Sequence, residues 1–165
     1  MTGTFQSGRF QVRRAGEADI EALIATAVET FASTFRGTCS DDDLEAFLKS
    51  TYTEANFRAE LRQPRSEYLL LEASGETAGY AWIAETEPPA CVQGPSPVEL
   101  VRFYIRTPWQ GRGAARLLME HCVALAREQG YQTMFLGVWE HNTGAAILFR
   151  VRLQAGGGAR ISGWG

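Results

Sequence analysis

Val98–His121 reads VELVRFYIRTPWQGRGAARLLMEH. VELVRFYI has the aliphatic and aromatic content of a strand. From Gly113, GAARLLMEHCVALAREQG places Leu117, Leu118, Cys122 and Leu125 on one face of a helix that Gly130 ends. Gln110, Gly111 and Arg112 lie between the two elements. Glycine lets backbone come close to a ligand, and a helix start offers unpaired N–H groups and a partial positive charge. The stretch therefore fits an anion held against Gly111–Ala115.

The underlying pattern, [QR]-x-x-G-x-[GA], is weak. It occurs at Gln110–Ala115, at Arg13–Ala18 and at Gln154–Ala159. Context separates the copies. The first lies between a long strand and a long amphipathic helix, the second follows a short strand near the chain end, and the third sits in glycine-rich coil. Two other phosphate motifs fail. A dinucleotide fingerprint needs Gly or Ala where Arg116 stands, and no GK[ST] follows for a triphosphate loop.

Upstream, FQVRR (Phe10–Arg14) reads as a first strand. Ile20, Leu23, Ile24, Ala27, Val28, Phe31 and Phe35 recur at helical steps. Ser40 opens a second, capped helix through Leu44, Phe47 and Leu48, and TEANFRAELRQP adds a short helical piece ended by Pro64. YLLLEA and TAGYAWIAE flank a turn at Gly75. Downstream, TMFLGV reads as a buried strand and NTGAAILF as a last helix with Asn142 as N-cap. The order β-α-α-β-β-β-α-β-α describes one mixed α/β domain over residues 1–165, with an atypical glycine-rich tail at 150–165.

The chain has 165 residues, 45% hydrophobic and 21% charged, as expected of one globular domain with its own core. A net charge of −3 disfavours a nucleic-acid surface. Cys39, Cys91 and Cys122 are far apart, and with only two histidines no metal spacing appears. Reduced thiols fit a cytoplasmic protein. MTGTFQSGRF lacks the apolar run of a signal peptide, and no stretch approaches the ~18 apolar residues of a membrane helix.

Together, VELVRFYIRTPWQGRGAARLLMEH and FLGVWEHNTGAAILF resemble the GNAT superfamily of N-acetyltransferases, over about Phe10–Phe149. Within it the likeness is to bacterial polyamine acetyltransferases of the PaiA kind. These join ETF-x-x-TF, an acidic helix start, AGY, E-x-x-R-x-Y and LGVWE-x-N. Here those are Glu29–Phe35, Asp41–Asp43, Ala78–Tyr80, Glu99–Tyr104 and Leu136–Asn142.

The resemblance implies an α/β (α+β) fold, with a mixed, largely antiparallel central sheet flanked by helices. It implies acetyl-CoA as cofactor, with the pyrophosphate on Gln110, Gly111, Arg112, Gly113, Ala114 and Ala115. The backbone of Phe103, Tyr104 and Ile105 would pair with the pantetheine amides like a neighbouring strand. Asn142 matches a position on the cofactor arm and is equally suited to capping a helix. Phe149 stands where the family has a tyrosine that protonates the leaving thiolate, and the tail RVRLQAGGGARISGWG contains no obvious strand.

An alkylammonium with a pKa near ~10.4 must lose a proton before it attacks, which costs about 4–5 kcal/mol at pH 7. Glu99 matches a family carboxylate and is the candidate base; on residue type alone it is also an ordinary salt-bridge partner. The second family carboxylate is Val101 here. His121 and His141 read as packed or surface histidines, and Trp82, Trp109 and Trp139 as core or groove walls. Asp41, Asp42, Asp43 and Glu45 stabilise a helix start, and with Glu85 and Glu87 would attract a polycation. The expected partner is a small-molecule amine, with no nucleic acid, membrane or metal, and a homodimer is left open. A protein N-terminus or lysine is the alternative acceptor, and a weakly active acyl-CoA-binding protein the alternative activity.

Overall fold

The computed structural model describes residues 5–7, 9–139, 146–153 and 159–164, with side chains for 9–136. Its strands are β1 (Phe5–Ser7), β2 (Phe10–Arg14), β3 (Ser66–Ala73), β4 (Glu76–Ala84), β5 (Pro97–Ile105), β6 (Thr133–Trp139), β7 (Ala146–Leu153) and β8 (Ala159–Trp164). They form one sheet in chain order. Every neighbouring pair is antiparallel except β5 and β6, which run parallel. Helices α1 (Ile20–Phe35), α2 (Asp41–Thr51) and α3 (Glu54–Arg62) join β2 to β3, and α4 (Ala114–Glu128) joins β5 to β6.

Strand alternation divides the core in two. Leu69, Leu71, Ala81, Ile83, Val98 and Leu100 point to one face, where Leu118, Cys122, Leu125 and Ala126 of α4 cover them. Tyr68, Leu70 and Tyr80 point to the other face, under Ile20, Leu23 and Ala27 of α1 and Phe57 of α3. The α2 start is the capped one its sequence suggests: Ser40 Oγ accepts from the Asp43 N–H at 3.1 Å, an interaction worth about 1 kcal/mol. Thr53 caps α3 in the same way, accepting from Asn56. Ser74 and Gly75, both at positive φ, close the β3–β4 hairpin.

The expected last helix is instead a strand. Residues 146–152 pair with β6 along its whole length, from Trp139↔Ala146 to Thr133↔Arg152. The tail expected to hold no strand supplies the rest of β7 and all of β8. In AILFRVRL, the helical spacing of Ala146, Ile147 and Phe149 masks a two-residue alternation that continues through Val151 and Leu153. Asn142 and His141 lie outside the described residues. Phe149 pairs by backbone with Leu136 and Gly163. Among the described residues, no helix is long and apolar enough to cross a membrane.

Candidate functional site

The sheet opens along β5. Between β4 and β5 the pairing steps from Trp82↔Arg102 to Ile83↔Leu100, leaving Val101 as an extra, bulged residue. On its other side β5 pairs with β6 only from Pro97↔Thr133 to Glu99↔Phe135. Beyond Glu99 the two strands part. The Arg106 N–H donates to Ala78 C=O at 2.8 Å. By strand parity, Tyr104 and Arg106 turn their backbone toward β4, while Phe103 and Ile105 turn theirs toward the opening. The Gln110 side-chain amide donates to Ile105 C=O at 3.0 Å, tying the following loop to this edge.

At the end of the opening the chain makes a short turn, Thr107–Trp109, and enters the glycine pair. Gly111 has φ 72° and Gly113 φ 84°, both left-handed. A Cβ at either position would meet no atom within 4 Å, so the backbone conformation, not crowding by the protein, calls for glycine. Gly113 caps α4 without a side chain. The Leu117 N–H is paired, to Gly113 C=O at 3.1 Å, but the N–H groups of Ala114, Ala115 and Arg116 have no carbonyl inside the helix. These donors share the positive end of a 15-residue helix. Arg112 lies over the Trp109 ring, 5.9 Å from its centroid, and Arg116 is exposed and paired with Glu120.

The copy of the pattern at Arg13–Ala18 is already filled by its own chain. Asp19 accepts from the Gly16 N–H at 2.8 Å and from both terminal nitrogens of Arg13. The Arg13 bond holds the Asp19 carboxyl below its usual range.

Glu99 stands where the strands part, the last residue of β5 paired to β6. Thr86 Oγ1 donates to its Oε2 at 2.6 Å, fixing one carboxylate oxygen. The sheet face toward α1–α3 carries stacked rings: Tyr68 on Trp82 (centroids 5.4 Å apart) and Tyr80 on Tyr104 (5.9 Å). Tyr80 is fully buried beneath α1 and forms no groove wall. Burial raises the hydroxyl pKa values of Tyr68, Tyr80 and Tyr104, and pushes Tyr52 up to about 12. All four are neutral at pH 7.

Arg102 runs through these rings. Its guanidinium reaches Glu60 at 3.2 Å and donates to Tyr68 Oη at 2.8 Å, while the Tyr68 hydroxyl donates to Glu60 Oε2 at 2.6 Å. It also lies 4.7 Å from the Trp82 centroid and 5.2 Å from that of Tyr52. Burial opposes its charge, but Tyr68 and Glu60 outweigh that and raise its pKa. Sequence reasoning missed Thr86 and Glu60. The one available hint was an arginine inside a largely apolar strand, which calls for a polar partner.

The sequence profile of the Acetyltransferase (GNAT) family matches residues 20–152. An uncharacterized N-acetyltransferase of Lactobacillus delbrueckii subsp. lactis is 32% identical over 142 residues, covering 86% of this chain and 82% of that one. An uncharacterized N-acetyltransferase of Mycobacterium tuberculosis is 28% identical over 145 residues, covering 88% and 85%. In fold, the chain is similar to the PaiA N-acetyltransferase of Thermoplasma acidophilum, solved in complex with coenzyme A. The TM-score is 0.72 at 17% identity, over 93% of this chain and 98% of that one.

Proposed function

The chain belongs to the GNAT family of acetyltransferases, and on that premise we propose that it moves the acetyl group of acetyl-CoA onto a primary amine of a polycationic small molecule, with Glu99 as base. The observation that carries this reading is the opening between β5 and β6, with Glu99 at one end and the Gly111–Gly113 turn at the other. The amides of Phe103 and Ile105 would pair with the pantetheine arm, whereas the backbone of Tyr104, expected to pair with them, is turned to β4. The N–H groups of Ala114, Ala115 and Arg116, unpaired within the helix, suit the pyrophosphate, with Gln110 holding the loop to β5 and Arg112 adding charge. The parts of Asn142 and Phe149 in holding the cofactor remain as the family resemblance implies.

In the reaction so proposed, the amine nitrogen attacks the thioester carbon while Glu99 accepts a proton, directly or through water. The tetrahedral adduct collapses, the C–S bond breaks and the thiolate leaves with its electron pair. A thiol of pKa ~8.5 leaves without obligatory protonation, so a phenylalanine at 149 is compatible with turnover. The polycation is supported by the PaiA-like motifs and by Asp41, Asp42 and Asp43, exposed at the α2 start with no ion pair among the described residues. Glu45 and Glu85 contribute less, since Lys49 and Arg65 already neutralise them.

A thiol-release assay with spermidine, a simple monoamine, and peptides bearing a free N-terminus or a lysine tests the proposal. Preference for spermidine supports it. Preference for a peptide transfers the activity to protein acetylation, and tight acetyl-CoA binding with no thiol released makes the chain an acyl-CoA-binding protein.

A further inference from the structure

Arg9 and Arg112 line one concavity of about 380 Å3, with Phe10, Gly113 and Leu117. Both arginines are exposed, and neither has a carboxylate partner among the described residues. By contrast, Arg13 is neutralised by Asp19 and Glu72, and Arg116 by Glu120. Here two positive charges converge beside the positive end of α4 with no counter-charge among the described residues, an arrangement that an anion relieves. The other walls are apolar. Phe10 is buried, packs edge-on against Trp109 at 5.9 Å and leaves a hydrophobic boundary with Leu117. A charged rim on an apolar wall, at a volume typical of ligand pockets, suits a phosphate ester carried on a sugar or ring.

Resting on the acetyl-CoA reading above, in which the loop amides take the pyrophosphate, we propose that Arg9, together with Arg112, holds the ribose 3′-phosphate of the cofactor and so selects coenzyme A over its dephosphorylated form. Arg9 stands just before β2, outside residues 20–152 that match the family. The family match therefore does not itself assign this contact. A phosphate monoester carries nearly two negative charges at pH 7, which two guanidinium groups match, and each offers paired donors to its oxygens.

Calorimetric titration with coenzyme A and with 3′-dephospho-coenzyme A separates this contact from the rest of the site. The wild-type chain should bind coenzyme A about tenfold more tightly than the dephosphorylated form. Arg9→Ala should remove most of that preference by weakening coenzyme A alone, with the dephosphorylated form held within about twofold and an unchanged melting temperature. Arg62→Ala, which removes an exposed charge elsewhere, should leave the preference intact. The proposal is overturned if the wild type shows no preference, if Arg9→Ala weakens both ligands equally, or if Arg62→Ala acts as strongly. A wild-type chain that binds neither ligand overturns the acetyl-CoA reading itself, an outcome distinct from a lost preference.

Discussion

Thr86 donates a 2.6 Å hydrogen bond to Glu99 at the point where β5 and β6 part. A carboxylate oriented in this way keeps one oxygen anchored and presents the other. Glu99→Gln should lower kcat by about 10²–10³-fold while leaving acetyl-CoA affinity unchanged, with activity recovering as pH approaches the amine pKa near ~10. Thr86→Val should cost less, about tenfold in kcat. Equal losses in cofactor affinity would reassign both residues to binding.

Gly113 adopts φ 84° as the cap of α4. Gly113→Ala should weaken the fold by about 1 kcal/mol through backbone strain, since its Cβ meets open space. Gly113→Glu adds a negative charge at the N–H groups proposed to hold the pyrophosphate and should reduce acetyl-CoA affinity more than tenfold, beyond ~1.4 kcal/mol. Titration calorimetry on both variants separates strain from charge, and an unaltered affinity in Gly113→Glu would move the pyrophosphate elsewhere.

The largely buried Arg102–Glu60 pair should respond asymmetrically. Removing the carboxylate with Glu60→Ala leaves a cation among Tyr52, Phe57 and Trp82 and should destabilise by about 2–4 kcal/mol. Replacing both partners with Arg102→Met and Glu60→Leu should restore much of that loss. Chemical denaturation of the wild type, the single and the double variant measures it, and a double variant no more stable than Glu60→Ala would mean the pair itself is favourable.

Alkaline pH should unfold the protein earlier than neutral pH predicts. Burial raises the Tyr52 hydroxyl from its usual 10 to about 12, so the folded state keeps a proton that the unfolded chain releases. Stability from this linkage is whole below pH 10 and falls as pH rises toward 12. Tyr68, raised by the same cause, extends the decline. Denaturation midpoints between pH 7 and 11 should drop in the wild type and fall less steeply in Tyr52→Phe.

If Asp41, Asp42 and Asp43 recruit a polyamine, the apparent KM for spermidine should rise with ionic strength. Conversion of all three to Asn should raise it at low salt and flatten the dependence. A KM indifferent to both changes removes these carboxylates from acceptor binding.

What the sequence disclosed follows from the range of each signal. Ser40, the periodicity of Leu118, Cys122 and Leu125, and the Ser74–Gly75 turn are local devices, and each appears where spacing and turn chemistry place it. Arg102 and Glu60 are 42 positions apart and meet only once α3 packs on the sheet. The bulge at Val101 has no residue signature of its own, because it arises from register between two strands. Ala146–Leu153 illustrates the opposite failure, where a few apolar residues at helical spacing yield to a partner strand already present. The glycine turn ahead of α4 was readable; the polar network of Arg102, Glu60 and Tyr68 was not.

The three paired residues joining β5 to β6 also make a seam in an otherwise continuous sheet. Amide hydrogens there can exchange with solvent through local parting of the strands, at a smaller free energy than global unfolding demands. A ligand that bridges the opening would suppress that local route, adding about 2.7 kcal/mol of protection at a hundred times its Kd. The cofactor would then act as a missing stretch of strand, and the ligand-free sheet would open most readily where the reaction is proposed to occur.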